Sequence, residues 1–394
     1  MDQSSMEEPR LFVVDSLFEA AEAEAGGPLA DRDALAVHVQ RYVDALVEEV
    51  GLSPTGTMIQ QQKIHRLLVN RARFDADLAR HPEILDEKIA DPVVIVGLPR
   101  TGTTKLMWLL GEDPRYAVLP QWWLSNPAPF GPADRGPAGS PDPRVTLARE
   151  AIGMLRQMFP AMAAAHPVEA EAPDEDAYLQ ELTFQATAQA LTIPAPRYQA
   201  AMRRHPQDEA YDYLYRTLQY HQWQYPDTRG RPLVLKTPVH LGYLPLLLRR
   251  FEHATVVHCH RDVAVSIPSL CRLFEAMWTM STDDLDCREV GEWVVEHWAD
   301  AAMASVEHRA RITSRATVLD VGFEEIVHRP ETVLRRIHEA HVMPGSSAPV
   351  VPPEANELPE KRYGKHEYSL QRYELDAGEL HRRFAAYTAL ATTP

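Results

Sequence analysis

Cysteine is scarce. The 394 residues contain three, Cys259, Cys271 and Cys287, with no CxxC spacing, which argues against a disulfide framework and against a zinc site. Long apolar runs are also missing: nothing approaches the roughly 18 residues a membrane span needs. The opening residues, Met1-Asp-Gln-Ser-Ser-Met-Glu-Glu, lack the basic start and apolar core of a signal peptide, and a cytoplasmic location is the default expectation. No histidine pair, out of seventeen, stands in an HExxH arrangement, and no internal repeat is visible. Positive charge is in deficit. With 40 Lys and Arg against 56 Asp and Glu the net charge is -16, so non-specific nucleic-acid binding is not expected. A small anion is a different matter, because a few local cations can hold it.

What is present is ordinary for a soluble globular enzyme, with 45% hydrophobic and 24% charged residues, and the length allows one large domain with additions or two domains. Residues 11–50 and 58–80 carry apolar side chains every three or four positions, a helical period. The first stretch is broken at Gly26-Gly27-Pro28. These helices carry no catalytic cluster and read as a cap or an oligomer contact, so a homo-oligomer stays open. At Val93-Val-Ile-Val96 the texture changes to a short β-branched run suited to a strand buried on both faces. Further strand signals fall at Leu233–Leu235, Thr255–His258 and Thr317–Leu319, with helices expected over 241–251 and 262–313, the latter broken near Ser281. That alternation predicts an α/β fold with a parallel, doubly wound sheet. Residues 126–143 read as an exposed loop, 144–225 as mainly helical, and 376–390 as a final helix.

Between the first strand and its helix lies Gly97-Leu-Pro-Arg-Thr-Gly-Thr-Thr104. Glycines there let backbone N–H groups converge on an anion at a positive helix terminus. Thr101, Thr103 and Thr104 add hydroxyls, and Arg100 adds a fixed charge. The ATP-binding form of such a loop has Lys where this chain has Thr103, and Lys105 is already in the helix. That substitution counts against a conventional kinase, although Asp320 offers a carboxylate at a strand end where a metal-binding Asp would stand.

Four ordered segments resemble the P-loop sulfotransferases that use 3′-phosphoadenosine 5′-phosphosulfate (PAPS), especially their bacterial branch. Pro99-Arg-Thr-Gly-Thr-Thr104 is similar to the family's 5′-phosphosulfate loop. Cys259-His-Arg-Asp-Val-Ala-Val-Ser-Ile-Pro-Ser269 is similar to its 3′-phosphate motif, with Arg261 and Ser269 at the matching spacing. Arg231-Pro-Leu-Val-Leu-Lys-Thr-Pro-Val-His-Leu241 resembles the segment that carries a lysine, here Lys236, to the transferred group. Arg362-Tyr-Gly-Lys-His-Glu-Tyr-Ser369 resembles the basic segment over the 3′-phosphate and puts Arg362, Tyr363, Gly364 and Lys365 at the cofactor. The implied architecture is a P-loop-type three-layer fold, a central parallel sheet flanked by helices, with an N-terminal helical extension. Its division is 1–89 for that extension, 90–345 for the core with a helical acceptor-site insertion at 120–225, and 346–394 for a tail completing the cofactor site.

The resemblance implies transfer of the sulfuryl group of PAPS to a hydroxyl of a small, partly apolar acceptor, a metabolite or natural product, with release of 3′,5′-diphosphoadenosine and no metal. Arg100, Thr101, Gly102, Thr103, Thr104, Arg261 and Ser269 then hold the nucleotide, and Arg100 and Lys236 stabilise the moving charge. His240, four residues after Lys236, is the first choice for the base, since imidazole titrates near neutral pH. Many relatives place that histidine where this chain has Pro238. Some bacterial relatives use the glutamate of a Trp-Glu pair, and here Trp122 is followed by Trp123. His166 and the acidic run Glu169, Glu171, Asp174, Glu175, Asp176 are further candidates for the base, the run reading more simply as a helix N-terminus. Trp122, Trp123 and His166 are the expected acceptor contacts. An atypical phosphotransferase and a catalytically inactive nucleotide-binding homologue are the alternatives.

Overall fold

The computed structural model describes residues 12–131, 142–312, 315–341 and 369–392. Three helices come first: α1 (Val14–Ala25), α2 (Arg32–Glu48) and α3 (Pro54–Arg80). Gly26, left-handed at φ 79°, closes α1, and Ser53 caps α3 by accepting from the Gly56 N–H ahead of Pro54. Such caps satisfy amides that a helix start leaves unpaired.

Next are β1 (Val93–Gly97) and α4 (Thr103–Gly111), and a helical excursion made of α5 (Gln121–Ser125), α6 (Pro143–Met158), α7 (Pro160–Ala165), α8 (Ala177–Glu181), α9 (Thr187–Ala190), α10 (Pro196–Arg204) and α11 (Asp208–Gln224). The chain returns through β2 (Val234–Lys236), α12 (His240–Leu248), β3 (Thr255–His260), α13 (Val263–Trp278), α14 (Cys287–Ala310), β4 (Thr317–Gly322), α15 (Phe323–His328) and α16 (Pro330–Ala340), and ends in α17 (Ala377–Arg383) and α18 (Ala385–Thr388).

The four strands form one parallel sheet in the order β2-β1-β3-β4. Val93 pairs with Val234 on one side and Thr255 on the other. The continuous apolar run of β1 has a simple cause. Val94 and Val96 enter one core with Leu235, Val256 and Ile267, while Val93 and Ile95 enter another with Leu106, Leu110, Val257 and Ile337. Period-2 side chains buried on both faces leave no polar position. A third core joins α1–α3 to the excursion through Tyr42, Phe74, Phe184, Tyr213 and Tyr220.

Two expected limits shift. Lys236 is the last residue of β2, and β4 runs through Asp320 to Gly322, so Asp320 lies inside a strand whose outer edge is unpaired among the described residues. The fold places Gly97, Lys236, His260 and Gly322 at one edge, the carboxyl ends of the strands, where open α/β sheets bind ligands. Among the described residues no helix is long and apolar enough to cross a membrane.

Candidate active site

The turn after β1 has little backbone freedom. Gly97 has φ 148°, and a Cβ there would lie 2.5 Å from the Cys259 carbonyl oxygen. Gly102 has φ 92°, and a Cβ there would come within 3.2 Å of Phe323 and Ile326. Arg100 occupies the left-handed region at φ 71°, where a side chain is strained by about 1 kcal/mol or more. It is held there by contacts. Arg100 Nε donates to Ser269 Oγ at 3.1 Å and Nη1 donates to the Ala165 carbonyl at 3.0 Å. Arg261 Nη1 donates in turn to the Arg100 carbonyl at 3.0 Å. Thr101 Oγ1 donates to the Leu98 carbonyl at 2.7 Å, and Thr103 and Thr104 open α4. The loop, Arg261 and Ser269 therefore form one cluster, though β1 and the start of α13 are far apart in sequence.

Arg261 is not paired with its neighbour Asp262, which caps α13 through the Ala264 N–H and meets His381 at 2.9 Å. Its guanidinium lies 3.8 Å from the Phe323 ring centre, a cation–π stack. Arg261 and Phe323 line a cavity of about 570 Å³, with His260, Gly322 and Tyr387. Tyr387 of α18 also reaches the loop, accepting from the Leu98 N–H at 3.2 Å. Lys105 turns away from the loop toward the Val327 carbonyl at 3.5 Å, and burial lowers its pKa.

Lys236 stands at the other side of the loop. Its Nζ donates to Glu175 Oε1 at 2.7 Å, and Thr237 Oγ1 donates to Oε2 of the same carboxylate at 3.3 Å. His166 Nε2 is 4.0 Å from Glu175 Oε1. Burial works against ionising Glu175, but Lys236 and then His166 outweigh it and bring the carboxyl down to about 2. The acidic run thus does more than decorate a helix start. Asp176 is equally engaged, accepting from the Lys236 amide at 2.8 Å and from His240 Nε2 at 2.8 Å.

His240 is fully buried, and its second nitrogen meets the Tyr211 hydroxyl at 2.9 Å. Both nitrogens have partners inside the protein, and among the described residues the expected base lines neither the cavity beside Glu175 nor the one beside Arg261. Two other expectations shift in the same way. Trp123 is fully buried, edge-on to His221 at 4.6 Å, and Trp122 packs under the Arg144 guanidinium at 4.8 Å. Neither lines the cavity beside Glu175, because the short α5 turns both into helix packing. His166 does line it, with Pro99, Thr237, Leu270, Phe274 and Met277, around a volume of about 180 Å³. Arg362, Tyr363, Gly364 and Lys365 lie outside the described residues.

Asp320 is engaged by cationic and imidazole side chains. Both its oxygens accept from Arg309, and Oδ1 also meets His260 Nε2 at 2.6 Å. Burial opposes ionisation, yet His260 and Arg309 hold its carboxyl far below the usual range. His258, His260 and Asp320 bring ligand-type atoms within 4.8 Å of one another, and the Arg309 guanidinium lies against the same carboxylate.

The matched family settles the class. The sulfotransferase family model covers residues 92–344. The chain belongs to the sulfotransferase family. Among solved structures it is similar to sulfotransferase STF9 from Mycobacterium avium, at 23% identity and a TM-score of 0.80, covering 99% of this chain and 98% of that one. It is also similar to sulfotransferase STF1 from Mycobacterium tuberculosis H37Rv, at 23% identity and a TM-score of 0.77, covering 96% of this chain and 100% of that one. No curated protein sequence matches the chain. As a sulfotransferase it moves a sulfuryl group; its glycine loop follows β1 and Lys236 ends β2 at the carboxyl edge of the sheet.

Proposed function

We propose that this sulfotransferase takes its sulfuryl group from PAPS and transfers it to a hydroxyl of a small, partly apolar acceptor in the cytoplasm. One observation carries the reading: Glu175, the partner of Lys236, lines the same cavity as Pro99 of the glycine loop, together with apolar side chains such as Leu270, Phe274 and Met277. The residues suit a doubly phosphorylated adenosine. Gly97 and Gly102 keep side chains out of the loop, its amides and Arg100 suit the 5′-phosphosulfate, and Arg261 with Ser269 suits the 3′-phosphate.

Bound PAPS supplies an electrophilic sulfuryl group and a diphosphoadenosine leaving group. The chain's own residues do the rest by charge and position. Lys236 leaves Glu175 for the negative charge at the reacting centre. Glu175, freed of its closest cation, becomes more basic, because burial raises its pKa and only His166 is left to oppose it. Its carboxylate then accepts the acceptor's hydroxyl proton as the new S–O bond forms and the old one breaks. His240 acts at one remove, fixing Asp176 and through it the Lys236 main chain.

Titration calorimetry provides the test. Metal-free binding of 3′,5′-diphosphoadenosine is expected, tighter than binding of ATP with Mg²⁺; a preference for Mg·ATP would overturn the proposal.

A further inference from the structure

The cavity beside Glu175 has a second polar end. Along one wall Glu175 precedes α8 and Glu181 ends it, and both line the cavity, a separation of about 9 Å at the rise of a helix. Along another wall α13 carries Leu270, Phe274 and Met277. Leu270 follows Ser269, which holds Arg100 of the glycine loop, and Met277 lies about 10 Å further along the helix. Trp278, next to Met277, donates through Nε1 to the Leu191 carbonyl at 2.9 Å, and Leu191 and Thr192 also line the cavity. Both walls thus lead away from the glycine loop, one to Glu181 and the other to Thr192. A single residue joins these far ends: Lys63 of α3 donates to Thr192 Oγ1 at 2.9 Å and pairs with Glu181 Oε2 at 3.0 Å.

Glu181 sets the chemistry there. Lys63 occupies Oε2, whereas Oε1 has no hydrogen-bond partner among the described residues and is not enclosed by them. A carboxylate can only accept, so a group that meets Oε1 must donate. Thr192 Oγ1 gives its own proton to the Gln189 carbonyl at 2.7 Å. Lys63, and Arg66 whose charge also reaches Glu181, already balance the carboxylate, which favours a neutral donor over an ammonium. Tyr178, between the two acids in the chain, lines the cavity too, and its hydroxyl has no partner among the described residues. Burial, and then Asp174 and Glu181, raise its pKa and keep the phenol protonated. A hydroxyl, able to donate and to accept, suits this surrounding.

We propose that the acceptor carries a second hydroxyl about 9 to 10 Å from the reacting one, and that Glu181, held by Lys63 of the N-terminal helix α3, selects it. The inference rests on the reading of this cavity as the acceptor site. The reacting hydroxyl meets Glu175, an apolar middle meets Leu270, Phe274 and Met277, and the second hydroxyl donates to Glu181 Oε1. The N-terminal helices then belong to the specificity apparatus, since α3 supplies the cation that fixes the selecting carboxylate.

Calorimetry on the full chain saturated with 3′,5′-diphosphoadenosine tests this with 1-heptanol, 1,7-heptanediol, 7-methoxy-1-heptanol and 7-amino-1-heptanol. The diol is long enough when extended to reach both acids. It is expected to bind at least about tenfold more tightly than 1-heptanol or the ether, the effect of a hydrogen bond to a charged group. The amine, a cation at neutral pH, should bind less tightly than the diol. The double variant Lys63→Met with Glu181→Leu removes the pair without leaving one buried charge alone. In it the diol should keep only the small statistical advantage of a ligand with two identical ends, and unchanged nucleotide affinity will show that the variant is folded. The ligand series on the unaltered chain decides the matter even if that variant does not fold. Equal binding of the diol and 1-heptanol, absence of binding included, would overturn the inference. So would parity of diol and ether, a tighter amine, or a diol preference undiminished in the double variant. Failure of the nucleotide itself to bind would instead sink the PAPS reading, so the two failures are separable.

Discussion

Arg261 is held from two sides, by the Arg100 carbonyl and by the face of Phe323, which on the proposed reading leaves it pre-oriented for a phosphate. Arg261→Ala is expected to weaken 3′,5′-diphosphoadenosine by about 10- to 100-fold, the range for a lost charge-assisted contact. Adenosine 5′-phosphate should lose far less, and equal losses in calorimetry would show that Arg261 does not read the 3′-phosphate. Glu175→Gln should lower kcat by about 10²- to 10⁴-fold, the usual contribution of general base catalysis, with nucleotide affinity retained. Lys236→Ala should cut kcat more than it weakens nucleotide binding, because the charge it meets grows in the transition state. The depressed Glu175 carboxyl has a second consequence. Since its folded pKa is about 2 against an ordinary 4.5, the unfolded chain takes up its proton first as acid is added. Its stabilising contribution is complete above about pH 4.5 and is lost as pH falls toward 2. Urea unfolding at pH 6 and pH 3 should therefore separate wild type from Glu175→Gln by more at pH 6.

At the scale of elements, the short α8 and the end of β2 are fastened by one residue. Asp176 accepts from the Lys236 amide with one oxygen and from His240 with the other, so it fixes both the last residue of the strand and the first of α12. Asp176→Ala leaves two buried donors unpaired, each costing about 1–3 kcal/mol. A fall in Tm together with a fall in kcat is the expected result; an unchanged Tm would show that the strand end is held by other means. This element pair also marks where sequence reasoning ends. The apolar texture of β1, the glycine loop and the Arg261–Ser269 spacing are local patterns, and the structure brings their side chains together. The break at Gly26 was also legible, being set by neighbours in the chain, whereas α3 begins at Pro54 rather than at the expected Met58. His240 and Glu175 were not. Their partners lie 64 and 61 residues away, so neither the sequestration of the histidine nor the pairing of the glutamate has a local signature. Trp122 and Trp123 pack outside the cavity beside Glu175, and here the sequence is silent for the opposite reason, since an aromatic near a phosphate loop looks the same in a pocket and in a core.

Over the whole molecule, the N-terminal helices are packed against the sheet-bearing part rather than appended to it. Gln60 of α3 accepts from Tyr42 and donates to Ser281, and Lys63 pairs with Glu181 at 3.0 Å, a residue of the wall of the cavity beside Glu175. The closest approach is at Gly56, where a Cβ would sit 2.0 Å from the Ser281 carbonyl oxygen. Gly56→Ala must push α3 away from the turn between α13 and α14, at a cost of about 1–3 kcal/mol or more. Chemical denaturation should show that loss, and an unperturbed midpoint would mean that the two parts are not coupled there. The contact between Lys236 and Glu175 also has a temporal meaning. On the proposed mechanism, the empty enzyme keeps its electrophile-binding ammonium and its proton acceptor locked on each other, idle, and only an arriving donor can pry them apart. Turnover would then follow a compulsory sequence, donor before acceptor, enforced by a single latch.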